Sequence, residues 1–170
     1  MADRRWLPWV GLAIRLAAAG IWLVAGIAKA LDFTAFQQQI RAYDVLPGGL
    51  VTPVGYLLPL GEIALGGYLL LGVLVRPAAI VSTVLMAVFI AAQAQAWARG
   101  LVIDCGCFGT TDLQHVGAGT IARDLLLAVP GAILAVRPAR HLSVDQAFLG
   151  GRDAFSSPVA EATPTARTPA

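Results

Sequence analysis

The sequence predicts an all-α fold, a polytopic membrane four-helix bundle with a short interfacial helix between helices 1 and 2. Apolar residues make up 58% of the 170 residues and charged residues only 13%, roughly half the charged fraction of a soluble domain. The apolar residues are gathered into runs long enough to cross a lipid bilayer, and a short amphipathic segment separates the first two runs. The net charge of +2 is too small for the basic surface that binds a nucleic acid, so nucleic acids are excluded as partners.

Four apolar runs account for the four helices. The first three cover residues 9–31, 52–74 and 77–97, and each has the about 20 residues that cross a hydrocarbon core of about 30 Å as a helix. The fourth, residues 119–136, is weaker because Arg123 and Asp124 interrupt its first half. Pro130 predicts a kink in this helix, which membrane helices tolerate when their neighbours satisfy the freed carbonyl.

The first run has a second interpretation as a cleaved signal peptide. Arg4 and Arg5 precede it, and Ala28-Lys29-Ala30 has the small-x-small pattern of a cleavage site. A retained helix is favoured because the run is long enough to span a bilayer and carries Arg15 near its start.

The segment between the first two runs predicts a short amphipathic helix. Its apolar residues recur at spacings of three, four and three, which places them on one stripe of a helix; they are Phe33, Phe36, Ile40 and Tyr43. Thr34 and Gln37 have the spacing of a capping box at the start of the helix, and Pro47 ends it. We expect this helix to lie across the mouth of the bundle in the membrane interface. A loop of accidental periodicity is the alternative.

Domain boundaries and orientation follow from the distribution of charge. We expect a cytoplasmic N-terminus at residues 1–8, the transmembrane domain at 9–141 and a disordered cytoplasmic tail at 142–170, where Gly, Ser, Thr, Pro and Ala dominate. Arginines at positions 4 and 5 precede the first run, and the loop from 104 to 119 has no Lys or Arg. The positive-inside rule therefore puts both termini in the cytoplasm and that loop outside the inner membrane, where disulfides persist.

The same loop holds both cysteines of the chain, Cys105 and Cys107, with Gly106 between them. A structural bridge that closes so short a loop would add only about 1.6 kcal/mol, so a reactive pair is favoured. Glycine supplies the freedom that brings the sulfurs together, and a strained bridge is readily reduced. Two alternatives stay open, a half-site for Cu(I) or another thiophilic ion and inert loop cysteines. Which cysteine attacks is also left open.

Several groups near the loop could lower the pKa of a thiol by favouring the thiolate. They are the start of the fourth helix, Arg99, Arg123 and a protonated His115. We assign Arg123 to the reactive site as the cation that favours the thiolate. Arg123 and its neighbour Asp124 are expected to lie near lipid headgroups at the outer end of the fourth helix.

Two charged residues fall inside apolar runs, Arg15 in the first and Glu62 in the second. Isolated charges at that depth cost several kcal/mol, so we expect Arg15 and Glu62 to face the bundle interior and to pair with each other. One interpretation is a structural salt bridge. The other is a cofactor contact, in which Glu62 binds or exchanges a proton with a lipid headgroup or a quinone.

A combination of short motifs spans about residues 9–137. These motifs are Arg15, Gly26-Ile27-Ala28-Lys29-Ala30-Leu31-Asp32, Tyr43-Asp44-Val45-Leu46-Pro47, Pro59, Glu62, Gly66, Asp104-Cys105-Gly106-Cys107-Phe108-Gly109 and Arg123-Asp124. Together they resemble the methylamine utilisation MauE family, within the DoxX-like group of small four-helix membrane proteins.

That resemblance implies an integral membrane protein of methylamine metabolism that supports disulfide formation in a methylamine dehydrogenase small subunit, alongside a thioredoxin-like partner. The layout is also similar to four-helix thiol oxidases of the vitamin K epoxide reductase type, which implies a quinone as electron acceptor. Those oxidases relay electrons through two cysteine pairs, whereas this chain has one. The chain must therefore serve both reaction partners with one pair or borrow a second pair from a partner protein.

We therefore predict thiol/disulfide exchange with an extracytoplasmic thioredoxin-like or quinoprotein partner. Cys105, Cys107 and Arg123 form the predicted site, no metal is assigned, and a quinone is the one cofactor considered, with Arg15 and Glu62 as its candidate contacts. The alternative is a non-enzymatic membrane subunit or a handler of a thiophilic metal ion.

Overall fold

A computed structural model describes residues 7–108 and 114–138 of the chain. Within these residues lie five helices, α1 (Leu7–Ala30), α2 (Phe33–Ala42), α3 (Gly48–Leu71), α4 (Val75–Ala98) and α5 (Ala118–Val136). All but α2 are long and apolar enough to cross a membrane. The predicted all-α membrane class is confirmed, and so is the short helix between the first two spanning helices. The predicted tail at 142–170 lies outside the described residues.

The spanning helices pack in two antiparallel pairs, α1 along α3 and α4 along α5. Glycines let the backbones of α1 and α3 approach: a Cβ on Gly26 would lie 2.9 Å from the carbonyl oxygen of Pro59, and one on Gly66 would lie 2.7 Å from Cγ of Leu23. Small residues are typical of such contacts between membrane helices. These contacts fix the register, in which Gly26 lies level with residues 59–63.

The core lies where the four long helices meet. Trp22 is 2% exposed, and its indole N–H donates to Oγ of Ser82 on α4 over 2.6 Å, the kind of partner that a buried indole requires. Small and aliphatic side chains pack around it: Ala18, Ala19, Leu65, Leu69, Ala78, Ala79, Met86 and Leu134. Large apolar side chains, among them Leu57 and Leu126, stay exposed on the outer faces, where lipid tails are as apolar as they are.

The short helix α2 packs against the first half of α3. Its N-cap is Asp32, whose side chain accepts a hydrogen bond from the backbone N–H of Ala35 over 2.9 Å. The predicted capping box of Thr34 and Gln37 is wrong, because Asp32 directly precedes the helix and its carboxylate already satisfies the third N–H. The side chain of Gln37 lies over Gly55 of α3 instead. The placement of α2 in the membrane interface stays a prediction.

The helix α5 continues through Pro130, and the kink expected there stays a prediction. The next residue, Gly131, faces α4, where a Cβ would lie 2.9 Å from Oγ of Ser82. Absence of a side chain at Gly131 therefore lets α4 and α5 pack closely.

Candidate functional site

The cysteine loop connects α4 to α5 and is folded back on itself. The N–H of Cys105 donates to the carbonyl of Gln114 over 2.9 Å, and the N–H of Val116 donates to the carbonyl of Ile103 over 2.9 Å. The phenol of Tyr43, at the end of α2, donates to the carbonyl of Cys105 over 2.8 Å. The backbone around Cys105 is thus held both by the loop and by α2.

The two cysteines are free thiols whose sulfur atoms lie 2.7 Å apart. Gly106 between them has a φ of +67°, a left-handed conformation that glycine adopts without steric cost. A Cβ at this position would also lie 2.5 Å from Oε1 of Gln39. The prediction that Gly106 lets the sulfurs approach is confirmed.

Side chains from α4 and α5 surround the sulfurs. Asp124 is 1% exposed; its Oδ2 lies 3.1 Å from Sγ of Cys107 and accepts from Nε2 of Gln93 over 2.6 Å. Its other oxygen accepts from Nε of Arg123 over 2.9 Å, and Nη2 of Arg123 lies 3.3 Å from Sγ of Cys105. A guanidinium therefore contacts one sulfur, and a carboxylate contacts the other.

These contacts correct the expectation that Asp124 lies near lipid headgroups. The side chain is buried because a thiol, an amide and a guanidinium supply the partners that a buried carboxylate needs. Arg123 is partly buried, with 26% of its side chain exposed, and its catalytic role stays a prediction.

The other candidate cations do not contact the thiols. Nη2 of Arg99 lies 3.1 Å from Oδ2 of Asp44, and Nδ1 of His115 lies 3.1 Å from Oδ1 of Asp104. The expected contacts of Arg99 and His115 with the cysteines are not formed, because a nearer carboxylate holds each of them.

The two thiols have opposite pKa shifts. The hydrogen bond from the Cys107 thiol lowers the pKa of Cys105 although burial opposes it, and the charge of Arg123 acts in the same direction as that hydrogen bond. The same hydrogen bond raises the pKa of Cys107, and burial and the charges of Cys105 and Asp124 raise it further. Loss of a proton from the pair is therefore favoured at Cys105 over Cys107.

The pKa of the Tyr43 phenol is also shifted. Burial raises the pKa of Tyr43, and the charges of both cysteines raise it further. The phenol accordingly stays protonated and keeps its hydrogen bond to the carbonyl of Cys105.

A second polar cluster, inside the bundle, is the ion pair of Lys29 and Glu62. Nζ of Lys29 lies 2.7 and 2.8 Å from the two carboxylate oxygens, and the side chains are 2% and 0% exposed. The ammonium also lies 5.6 Å from the ring centroid of Phe36 and 5.1 Å from that of Phe89. Both charges are thus compensated, as burial requires.

The predicted pairing of Arg15 with Glu62 is wrong. It assumed that α1 and α3 enter the membrane at a common level, whereas the close contact at Gly26 sets a different register. Lys29, the only lysine of the chain, follows Gly26 by one turn and reaches Glu62. Arg15 is also buried. It lies about 21 Å from Lys29 along α1, at 1.5 Å per residue. Its predicted contact with a cofactor stays a prediction.

A cavity of about 210 Å³ lies between the two polar clusters. Lys29, Gln93, Cys105 and Cys107 line it. Most of its wall is apolar and comes from α2, α3 and α4, including Phe36, Ile40, Val54, Leu58, Val88 and Phe89. Both cysteines therefore border a mostly apolar space.

Three groups that could bind a metal ion converge at the loop. The ligand atoms of Cys105, Cys107 and Asp124 lie within 4.8 Å of one another. Cysteine binds a metal as the thiolate, so the raised pKa of Cys107 opposes the loss of the proton that binding requires.

Two residues of this region, Gln93 and Lys29, do not stand out in the sequence as site residues. Lys29 lies at the end of an apolar run, within both the possible cleavage site and the family motif. Gln93 is uncharged and lies inside an apolar run. A polar side chain within a spanning segment was the available signal.

These features define a polytopic helical membrane protein that carries two adjacent free cysteines at one end of its bundle, beside an apolar cavity. The family model described as methylamine utilisation protein MauE matches residues 7–137, which include all five helices and the cysteine loop.

Two relatives agree with that match. The chain is 34% identical over 128 residues to the methylamine utilization protein MauE of Paracoccus denitrificans, across 75% of this chain and 69% of the relative. It is 33% identical over 133 residues to the protein of that name from Methylophilus methylotrophus, across 77% of this chain and 70% of the relative. The chain belongs to the MauE family, and the resemblance seen in the sequence is confirmed. No solved structure gives a significant match.

Proposed function

We propose that this chain is a membrane-bound thiol/disulfide exchange protein of methylamine utilisation, in which Cys105 and Cys107 cycle between a dithiol and a disulfide. Membership of the MauE family supports the link to methylamine utilisation, since both relatives carry that description. The observation that carries the exchange chemistry is a pair of sulfurs 2.7 Å apart with pKa values shifted in opposite directions.

The two sulfurs have different roles in this reaction. Cys105 is 4% exposed, whereas Cys107 is partly exposed, so a thiolate of the partner attacks the disulfide at Cys107. The S–S bond breaks and Cys105 leaves as a thiolate, which is favoured because a thiol of lower pKa is the better leaving group. The guanidinium of Arg123, 3.3 Å from Sγ of Cys105, stabilises the charge that develops there.

A second thiol of the partner completes the exchange. It attacks the partner's sulfur in the mixed disulfide, so that the partner leaves with a new disulfide and Cys107 is released. Cys107 takes up a proton because its pKa is raised, and Asp124, 3.1 Å from Sγ, is placed to relay that proton. The chain ends as the thiolate and thiol pair, and the partner has lost two electrons to it.

The partner in this proposal is a thioredoxin-like protein or a quinoprotein on the outer side of the inner membrane, and both termini of this chain lie in the cytoplasm. Disulfides persist outside the cytoplasm, which supports that orientation. A membrane-impermeant maleimide added to intact cells should label Cys107 after reduction. Labelling that requires cell lysis would place the loop in the cytoplasm and overturn this part of the proposal.

The exchange itself is tested on the purified full-length chain in lipid nanodiscs. The chain is equilibrated with glutathione buffers of graded potential, and free thiols are counted by maleimide gel shift. We expect both thiols to disappear together in one two-electron transition. Two thiols that titrate independently, or that stay reduced in oxidised glutathione, would overturn the proposal.

Single variants test the assignment of roles. Cys105→Ser keeps the more exposed thiol and should accumulate a glutathione adduct at Cys107. Cys107→Ser keeps the buried Cys105 without the thiol that lowers its pKa and should form its adduct more slowly. The opposite order of rates would exchange the roles of the two cysteines.

A second candidate function is the binding of a thiophilic metal ion, which the convergence of Cys105, Cys107 and Asp124 favours. Binding would require the loss of the proton from Cys107. Stoichiometric binding of Cu(I) by a chain that forms no mixed disulfide with glutathione would support this function in place of exchange.

A further inference from the structure

The amide of Gln93 lies at the thiol pair but takes no part in the exchange steps. Gln93 belongs to α4 and is 1% exposed. Its Nε2 donates to Oδ2 of Asp124 over 2.6 Å and lies 3.4 Å from Sγ of Cys107. One amide group therefore contacts both a reactive sulfur and the carboxylate beside it.

The oxygen of the same amide indicates which of its atoms contributes to the site. Among the described residues, Oε1 of Gln93 is buried without a hydrogen-bond partner, and an unpaired buried acceptor costs stability. Turning the amide over would bring Oε1 against the carboxylate of Asp124, where two acceptors repel each other. The contribution of Gln93 therefore comes from its N–H groups.

The carboxylate of Asp124 has a competing arrangement with Arg123. Its Oδ1 accepts from Nε of Arg123 over 2.9 Å, and a guanidinium commonly binds both oxygens of a carboxylate in a bidentate pair. Rotation into that pair would take Oδ2 away from Sγ of Cys107. It would also draw Nη2 of Arg123 away from Sγ of Cys105, which it now approaches to 3.3 Å. The hydrogen bond from Gln93 keeps Oδ2 out of that pair.

We propose that Gln93 is a positioning residue for the thiol/disulfide exchange, which holds Oδ2 of Asp124 against Sγ of Cys107; this inference rests on the proposed exchange function. Because Oδ2 stays 3.1 Å from Sγ, the carboxylate is placed to take the proton of Cys107 when that sulfur reacts. Because the carboxylate uses Nε of the guanidinium alone, Nη2 of Arg123 remains at Cys105.

Oxidation of the reduced pair by glutathione disulfide uses both contacts. Sγ of Cys107 forms a bond to one sulfur of glutathione disulfide, whose S–S bond breaks. The proton of Cys107 passes to Asp124 and then to water, and the leaving glutathione thiolate takes up one proton from water. Cys105 then forms the S–S bond with Cys107, and the second glutathione leaves as a thiol with the proton of Cys105. The chain loses two electrons and two protons, and one glutathione disulfide becomes two thiols.

The test uses the reduced full-length chain in lipid nanodiscs, with glutathione disulfide as the oxidant. Gln93→Met keeps the length of the side chain and removes its N–H donors. Gln95→Met is the matched control on the same helix, because Oε1 of Gln95 is also buried without a partner among the described residues. We expect oxidation to be about tenfold slower in Gln93→Met, the size of one hydrogen bond to a charged group, and unchanged in Gln95→Met.

The outcomes separate this role from the exchange function. Equal rates in the parent chain and in both glutamine variants would overturn the positioning role alone. A parent chain that glutathione disulfide does not oxidise would overturn the exchange function.

A double-mutant cycle distinguishes positioning from a general effect on structure. Asp124→Asn should slow oxidation because it removes the carboxylate, and Gln93→Met should cause no further loss in that background, because Gln93 acts through Asp124. The double variant has no buried carboxylate that lacks a donor, so this comparison stays informative if Gln93→Met alone does not fold. A further loss of the same size in the Asp124→Asn background would overturn the proposal.

The S–H stretching band gives a measurement that does not depend on exchange. In Cys105→Ser the infrared band belongs to Cys107 alone, since the chain has two cysteines, and a hydrogen bond from the S–H group to a carboxylate lowers its frequency. Adding Gln93→Met should raise the frequency as Asp124→Asn does, whereas Gln95→Met should leave it unchanged. A band that does not move with Gln93→Met would overturn the positioning of Asp124, whatever the rate of exchange.

Discussion

Replacing Lys29 by Met should strongly destabilise the bundle. The substitution leaves the carboxylate of Glu62, which is 0% exposed, without the ammonium 2.7 Å away. At an effective dielectric constant of about 20, two unit charges at that separation attract by about 6 kcal/mol. Much of this is offset by desolvation, and removal of one partner of a buried pair costs about 3–5 kcal/mol. A loss of that order lowers the Tm of a chain of this size by about 6–20 °C.

The assay is thermal unfolding of the detergent-solubilised full chain, followed by tryptophan emission that includes buried Trp22. The double variant Lys29→Met, Glu62→Met removes both charges and should recover most of the lost stability, because apolar replacement of a buried ion pair is often neutral or stabilising. A single variant that lowers Tm by less than about 4 °C, or a double variant no more stable than the single one, would refute this reasoning.

Cys107→Ala removes the hydrogen bond that lowers the pKa of Cys105. Alkylation by iodoacetamide needs the thiolate, so the alkylation rate of Cys105 should rise at a higher pH in this variant. An unchanged pH profile would contradict the claim that Cys107 lowers the pKa of Cys105. Gly106→Ala should lower the free energy of unfolding by about 1–2 kcal/mol through the cost of a left-handed conformation with a Cβ, and further because that Cβ would lie 2.5 Å from Oε1 of Gln39. Gly100→Ala, at a φ of +69° with open space around it, has the same conformational cost without that contact and should be the less destabilised variant in thermal unfolding; equal losses would contradict the role of the Gln39 contact. Trp22→Phe should lower the free energy of unfolding by about 1 kcal/mol through its lost hydrogen bond, measured by circular dichroism.

The spanning helices could be predicted closely from hydropathy. The run at 9–31 corresponds to α1 (Leu7–Ala30), and the run at 77–97 corresponds to α4 (Val75–Ala98). The reason is local, since a membrane helix needs an unbroken apolar segment that satisfies its own backbone hydrogen bonds. The exact start of α2 could not be predicted from the sequence, because Asp32 and Thr34 both carry side chains that can cap a helix. The folded backbone makes Asp32 the N-cap.

The candidate site was predicted in part. Cys105 and Cys107 are two residues apart, so their approach depends mainly on the conformation of Gly106, which the sequence indicates. The contribution of Gln93 and Asp124 could not be predicted, because they belong to different helices and meet at Cys107 only when α4 packs on α5.

The sequence by itself determined that this is a helical membrane protein with two thiols close together, because both properties are decided by residues adjacent in the chain. Tertiary structure alone decided which charges meet. The close contact at Gly26 sets the register of α1 on α3, so that Glu62 binds Lys29 and not Arg15. Such a register depends on contacts between distant segments, which no local pattern of residues encodes, and the same packing leaves the apolar cavity beside the sulfurs.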